Sequence, residues 1–305
     1  MPFTSKDLQV NGLNFHVIDE GASGDPAVVL LHGFPDSSDL WRNQIPVLRA
    51  AGFRVIAPDL RGFGQSDKPV KQSDYKVALL GSDVLGILTQ LGIGKFHLVG
   101  HDWGALLAWG LAAHMSQPSL EEALAGMPAA FANAFRALPV RPEIQSLTAF
   151  SVGHPEAYKD PPVAQRERSW YIYFFQFAQA LHDLQDRNYQ LLKDWSGGHS
   201  EAIQWIAHFD RDKPANLVAA LNWYRANTDP DDSIVDDTPL PPIMVPTRGV
   251  WGTGDLHQTD WPMTNSGQFV APNKFSYTQI DGAGHWMQLD KPDEVNKLLL
   301  DWLRQ

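Results

Sequence analysis

Three patterns in the sequence predict an α/β fold: a mostly parallel, doubly wound sheet with a helical segment inserted late in it. Short continuous apolar runs alternate with helix-length stretches, as parallel βαβ units require. A glycine-flanked corner, Val99-Gly100-His101-Asp102-Trp103-Gly104, joins one such run directly to a helix. Between residues 154 and 240 the alternation stops, and the chain reads as helices rich in aromatic side chains.

Taken in order, Leu8–Val10 and Leu13–Ile18 flank Asn11-Gly12, a pair that favours the primed turn of a β-hairpin. Ala27–Leu31, Phe53–Ala57 and Phe96–Val99 read as strands buried on both faces. Val77–Leu91 has helical apolar spacing, and Ala105–His114 is the helix after the corner. Pro118–Pro142 is Ala-rich, with apolar residues at Leu124, Met127, Phe131 and Phe135. It reads as a surface helical excursion, with a part in substrate access as the alternative. Leu147–Val152, Gly249–Trp251 and Phe275–Ile280 are further strands. A closing helix runs from Pro292, a good first-turn residue, to Leu303. The inserted segment contains four helical stretches: Trp170–Phe177, Tyr189–Trp195, Ala202–Phe209 and Leu217–Tyr224. It reads as a cap over the sheet edge, and Asp229–Pro242, rich in Asp and Pro, as a solvated linker. The expected division is a core of residues 1–153 and 241–305 and a cap of residues 154–240.

Composition narrows the function classes. The 305 residues are 44% apolar with 11 Trp, enough for a sizeable core. Lys and Arg number 24 against 35 Asp and Glu, a net charge of −11 that repels a phosphate backbone or an anionic membrane. With no cysteine there is no disulfide, thiolate nucleophile or Cys-based zinc site. The start, MPFTSKDLQV, lacks a secretory pattern, and no apolar run reaches the roughly 18 residues of a membrane span. A soluble, cytoplasmic protein is expected.

Four motifs carry chemistry. Glycines on both sides of Asp102 suit a sharp strand–turn–helix elbow that projects its central residue as a nucleophile. The plainer reading is a carboxylate capping a helix. His32-Gly33-Phe34-Pro35 ends a strand and can turn backbone N–H groups toward an oxyanion, or serve only as a turn. His285, in Gly282-Ala283-Gly284-His285-Trp286, follows the last strand, where ligands meet doubly wound sheets. Otherwise it is a structural histidine. Asp255, in Trp251-Gly252-Thr253-Gly254-Asp255, gives the order nucleophile, acid, His, with Asp260 as the second choice.

These stretches, with Trp41-Arg42, RGFGQSDKP at Arg61–Pro69 and GAGHWMQLDKPDEVN at Gly282–Asn296, resemble α/β hydrolases of the epoxide hydrolase type. The likeness covers nearly the whole chain. It implies two phenols that hold the epoxide oxygen: Tyr171 in Tyr171-Ile172-Tyr173-Phe174-Phe175-Gln176, and Tyr224 in Asn222-Trp223-Tyr224-Arg225. Tyr173 is the alternative to the first. Trp103, Tyr171 and Tyr224 are then the expected substrate contacts. Two departures stand out: the long Pro118–Pro142 connection, and Phe177-Ala178 where Pro-Gly is usual after Gln176.

The chemistry is consistent. A carboxylate that opens an epoxide becomes an alkyl ester, which water can cleave, whereas a serine would leave an ether. A phenol, with a reference pKa of about 10, can protonate the ring oxygen at neutral pH. His285 would activate water for ester hydrolysis and Asp255 would orient it. Backbone N–H groups of Phe34 and Trp103 would form the oxyanion hole. No metal or organic cofactor is required. The expected partner is a small apolar epoxide rather than nucleic acid or membrane, and the expected state is a monomer or weak homodimer.

The nearest rival is a dehalogenase using the same Asp102. Haloalkane dehalogenases usually place Asn where Phe34 stands, and haloacetate dehalogenases place Arg at the positions of Trp103 and Leu106. A non-catalytic ligand-binding protein on this fold would usually lack a triad member, and all three candidates are present.

Overall fold

The computed structural model describes residues 2–138, 141–228 and 239–305. Its sheet has eight strands: β1 (Ser5–Val10), β2 (Leu13–Glu20), β3 (Ala27–Leu31), β4 (Arg54–Pro58), β5 (Lys95–His101), β6 (Glu143–Phe150), β7 (Thr247–Gly252) and β8 (Phe275–Ile280). They lie in the order β1-β2-β4-β3-β5-β6-β7-β8. β2 pairs antiparallel with β1 and β4, and every pairing from β4 through β8 is parallel. The Asn11-Gly12 turn has φ of 53° and 78°, the left-handed pair that a primed hairpin turn needs. β3 and β4 are buried at all five positions, which is why they read as unbroken apolar runs. Arg54 is the exception, and its guanidinium forks onto Asp19 at 2.8 and 2.9 Å.

The flanking helices are α1 (Ile45–Ala50), α2 (Val77–Gln90), α3 (Trp103–Met115), α4 (Leu120–Leu124) and α5 (Ala129–Arg136). α3 is apolar nearly all round because it lies against β5 and β6 with little face left to solvent. The 118–142 excursion forms α4 and α5, and α5 packs on α2, with the Phe131 ring against Gly81. That packing, on the outer helices α2 and α3, fits the surface helical excursion.

Between β6 and β7 come α6 (Val163–Arg168), α7 (Trp170–Phe174), α8 (Gln179–Trp195), α9 (Ala202–Arg211) and α10 (Ala215–Asn227). α8 is broken at Asp186–Tyr189, where the backbone leaves helical φ/ψ. After β7 come α11 (Asp260–Asn265), α12 (Met287–Asp290) and α13 (Pro292–Leu303). Several expectations on element bounds need correction, and the largest is α8, which starts at Gln179 rather than Tyr189. β6 starts four residues before Leu147 and stops at Phe150, because Ser151 turns to φ 67°. α7 stops at Phe174 rather than Phe177. Most of the Asp229–Pro242 linker lies outside the described residues.

Candidate active site

β5 delivers Asp102 to the corner, and α3 begins at the next residue. Asp102 has φ 54° and ψ −121°, a strained backbone that the surrounding structure has to hold. Two glycines make the corner possible. A Cβ on Gly100 would lie 2.6 Å from the Cα of Ala105, and one on Gly104 would overlap the carbonyls of Leu31 and His32. The Asp102 side chain is not a helix cap, since it makes no capping hydrogen bond. It turns back over Gly33, whose missing Cβ leaves room for the carboxylate. There the Phe34 N–H donates to Oδ1 at 2.8 Å, and the Trp103 N–H lies beside the same carboxylate and favours its charged form.

The His285 ring meets the other oxygen, with Nε2 3.5 Å from Asp102 Oδ2. Its Nδ1 lies 2.8 Å from Asp255 Oδ2. Asp255 Oδ1 accepts the backbone N–H groups of His257 and Gln258 at 2.7 and 2.9 Å. Asp260 is exposed at the start of α11, so Asp255 is the partner. The two loops meet through glycine: the Gly254 N–H donates to the Ala283 carbonyl at 2.8 Å, and a Cβ on Gly252 would lie 2.6 Å from the Gly284 carbonyl. The His285 carbonyl accepts from His101 Nε2 at 2.9 Å and from Ser151 Oγ at 2.8 Å, tying the histidine loop to the corner.

Tyr224 stands on α10 and Tyr171 on α7. Several residues around them have a mechanical task. Trp223 Nε1 donates to the Arg61 carbonyl at 2.8 Å and docks α10 on the core. Asn227 Oδ1 accepts the Val77 N–H at 2.8 Å, caring for the start of α2. Arg225 reaches the carbonyls of Phe175 and Phe177 at 2.9 and 3.0 Å, and Gln176 Nε2 reaches Thr228 Oγ1 at 2.6 Å. Those bonds lock α7 to α10 and bring the two phenol rings to 6.1 Å. Tyr171 is buried while Tyr173 is 39% exposed, which decides between them. The rings of Phe34, Trp103 and Phe175 lie 5.4, 5.1 and 4.9 Å from Tyr224, and Trp195 lies 5.3 Å from Tyr171. The carboxylate therefore faces two phenols within an aromatic wall.

Electrostatics follow from this packing. Burial alone would raise the pKa of Asp102, but the hydrogen bond and charge of His285 and the Trp103 N–H hold it below the usual range. Asp255 is held down in the same way, against its burial, by His285 and the His257 backbone. Burial would lower His285, yet the two carboxylates outweigh it and lift the imidazole to about 10. Burial, reinforced by the Asp102 charge, pushes both phenols well above their ordinary value, so they keep their protons at neutral pH.

Every sequence-predicted site residue thus converges on one place. Sequence reasoning missed His101, whose bond to the His285 loop is invisible in the motif, and Tyr158 and Gln258, which lie beside Tyr171.

A strand–elbow–helix nucleophile with an acid and a histidine on later loops defines a hydrolase of the α/β type. The sequence pattern described as alpha/beta hydrolase fold matches residues 26–292, and the chain belongs to that family. It is 32% identical over 97% of its length to AB hydrolase superfamily protein YfhM of Bacillus subtilis (strain 168), covering 96% of that protein. It is also 32% identical over 98% of its length to Epoxide hydrolase 4 of Homo sapiens, covering 78% of that protein. A solved structure titled as novel epoxide hydrolases in metagenomes from hot environments superposes with a TM-score of 0.79 at 27% identity, with 99% of each chain covered.

Proposed function

We propose that this enzyme hydrolyses epoxides to vicinal diols through an alkyl ester on Asp102. The observation that carries the reading is a buried elbow carboxylate facing two buried, protonated phenols. Relatives named epoxide hydrolases support it. In this reading residues 154–240 form the cap, and the substrate is a small apolar epoxide taken by a monomer or weak homodimer.

Asp102 Oδ2 attacks a ring carbon, because Oδ1 already accepts the Phe34 N–H. The carbon–oxygen bond breaks, and its electron pair takes a proton from Tyr171 or Tyr224. Alkylation removes the Asp102 charge, one of the two that held the His285 proton. The imidazolium then releases that proton to restore the phenol and becomes a base. Neutral His285 next takes a proton from water, and hydroxide adds to Cγ of the ester. The new oxyanion is the former Oδ1, which already accepts the Phe34 N–H, with the Trp103 N–H beside the same carboxyl group. Collapse expels the diol, with the added hydroxyl proton passing to the leaving oxygen, and restores the resting ion pair. Atoms and charge balance as epoxide plus water to diol.

Halide release fits less well. It needs N–H donors for a leaving anion, whereas the Trp103 ring packs edge-on against the Tyr224 phenol, with centroids 5.1 Å apart. Position 34 offers only a phenyl side chain.

The test is a single turnover of styrene oxide by excess enzyme in heavy-oxygen water. The first diol should be unlabelled and Asp102 should gain the label, while Asp102→Asn forms no ester. A labelled first diol, or fast halide release from 1-bromobutane or fluoroacetate with Tyr224→Phe leaving epoxide turnover intact, would overturn the proposal.

A further inference from the structure

The sheet ends in two edge strands, β1 and β8, and they are built differently. β1 carries Lys6 and Asp7 near its start, and charges on an edge discourage pairing with a further strand. β8 runs Phe275-Ser276-Tyr277-Thr278-Gln279-Ile280, with no charge, proline or glycine, and with residues that suit a strand. No bulge interrupts its register with β7. Its open edge therefore lacks the usual guards of a solitary edge strand.

The free hydrogen-bonding groups of that edge can be assigned. The Thr247 and Thr253 N–H groups donate to the carbonyls of Lys274 and Ile280 at 2.8 and 3.1 Å, so these two residues face β7. Alternation along the strand turns Ser276 and Thr278 the same way, and Phe275, Tyr277 and Gln279 the other way. The backbone groups of those three have no hydrogen-bond partner among the described residues.

We propose that this edge pairs with the same edge of a second copy, antiparallel, about a twofold axis through Tyr277. A twofold perpendicular to the sheet keeps every side chain on its own face, so a residue opposes itself or one an even number of positions away. Centred on Tyr277, the axis sets Tyr277 against its own counterpart and Phe275 against Gln279. All three outward residues are then paired within the strands, giving about six backbone hydrogen bonds, two for each pair. Moving the axis one residue either way leaves an outward residue opposite a position beyond the strand. The ends match as well. Asn273 opposes the other copy's Asp281, so Lys274 stands one residue from that carboxylate, and symmetry repeats the contact at the other end. The small area of a strand-to-strand contact, and the charge of −11 on each copy, make the dimer weak and reversible. It decides between the two assembly states given above and is independent of the epoxide chemistry.

The test is sedimentation velocity of the full chain over about two decades of concentration, where a weak dimer shows as a mass rising from one copy toward two. Tyr277→Pro removes an outward N–H and leaves the ladder to β7 whole. It should melt within a few degrees of the wild type and stay monomeric throughout. Tyr277→Lys sets like charges against each other at the axis and should weaken association on the order of tenfold. The chain has no cysteine, so single thiols give a clean trap. Opposed Cα atoms of a hydrogen-bonded pair lie about 5.5 Å apart, within disulfide range. Mild oxidation should therefore link copies of Tyr277→Cys but not of Thr278→Cys, whose counterpart stands two residues off. Wild type that stays monomeric, a dimer unmoved by Tyr277→Lys, or linking through Thr278→Cys alone would overturn the proposal. If Tyr277→Pro fails to fold, the lysine variant and the two thiols still decide.

Discussion

In the proposed two-step reaction His285 faces opposite demands in the two halves. In the resting site two buried carboxylates hold its pKa near 10, so it enters as a cation that balances Asp102 and Asp255. In the proposed mechanism it must be neutral to act as a base, and the alkylation of Asp102 would supply the change. The rate of ester hydrolysis should therefore rise with pH to a plateau, with a midpoint below about 10, since one carboxylate has become an ester. Asp255→Asn should lower that midpoint further and cut the rate on the order of 10,000-fold, as loss of an orienting carboxylate does in comparable triads. Rapid-quench pH profiles of both proteins check this, and an unmoved midpoint in the variant would contradict it. The stability consequence has a definite sign. The raised His285 pKa contributes stability that is fully present below its ordinary 6.5 and is lost as pH rises through about 10. The lowered Asp102 and Asp255 contribute stability that is lost as pH falls below the ordinary carboxylate value of 3.8. These three residues were legible from sequence because glycines mark the close approaches around each of them. Gln258 and Tyr158 were not, because their meaning is a distance between two loops 100 residues apart, and neither stands in a glycine pattern.

Among the elements, the α7–α10 pair does the most to shape the site. Neither helix touches Asp102 through its backbone, yet together they set the separation of the phenols. Arg225 is the joint: just past the end of α7 it forks onto the Phe175 carbonyl and onto that of Phe177, which also accepts the Ala180 N–H. Arg225→Ala should leave the Phe175 carbonyl unpaired, while that of Phe177 keeps the Ala180 N–H, and should let α7 rotate, lowering kcat for epoxide opening about tenfold while thermal unfolding shifts by only a few degrees. Arg225→Lys should not restore the rate, because an ammonium cannot span both carbonyls in a fork. Steady-state kinetics with parallel calorimetry separates these outcomes, and full activity of the alanine variant would show that α7 is held by its aromatic packing instead. Elements read from sequence were accurate where burial is one-sided or complete, as in β3, β4 and α13. They failed where exposure hides the period. The first half of α8, Gln179–Gln185, has only Ala180, Leu181 and Leu184 as its apolar residues, so the helix was placed only from Tyr189 onward. β6 was placed late because its first half alternates exposed and buried residues, with only Ile144 and Ser146 turned inward.

At the scale of the molecule, the inserted helices and the sheet are joined through buried polar pairs, and Arg61 is the hinge of that arrangement. Its guanidinium forks onto Asp83 of α2 at 2.8 Å on both sides, with 5% and 3% of the two side chains exposed. Its carbonyl meanwhile receives Trp223 of α10. Burial raises the Asp83 pKa, and the Arg61 charge and bonds offset only part of that rise. Removing Arg61 would strand a buried carboxylate, a change that costs about 3–5 kcal/mol. Arg61→Ala should therefore lower the melting temperature clearly at neutral pH. Because the stranded Asp83 would bind a proton in the folded state, the variant should regain stability as pH falls, the direction opposite to that of Asp102 and Asp255. Arg61→Met combined with Asp83→Leu should recover most of the loss, since both charges leave together and the volume stays filled. The Trp223 bond uses only the backbone carbonyl of residue 61 and survives in every variant. Epoxide turnover well below the melting temperature should then match the wild type, which separates the pair's structural task from the chemistry above it. A fall in kcat that persists in the fully stable double variant would mean instead that the Arg61–Asp83 pair itself sets the height of α10, and with it the reach of Tyr224 over Asp102.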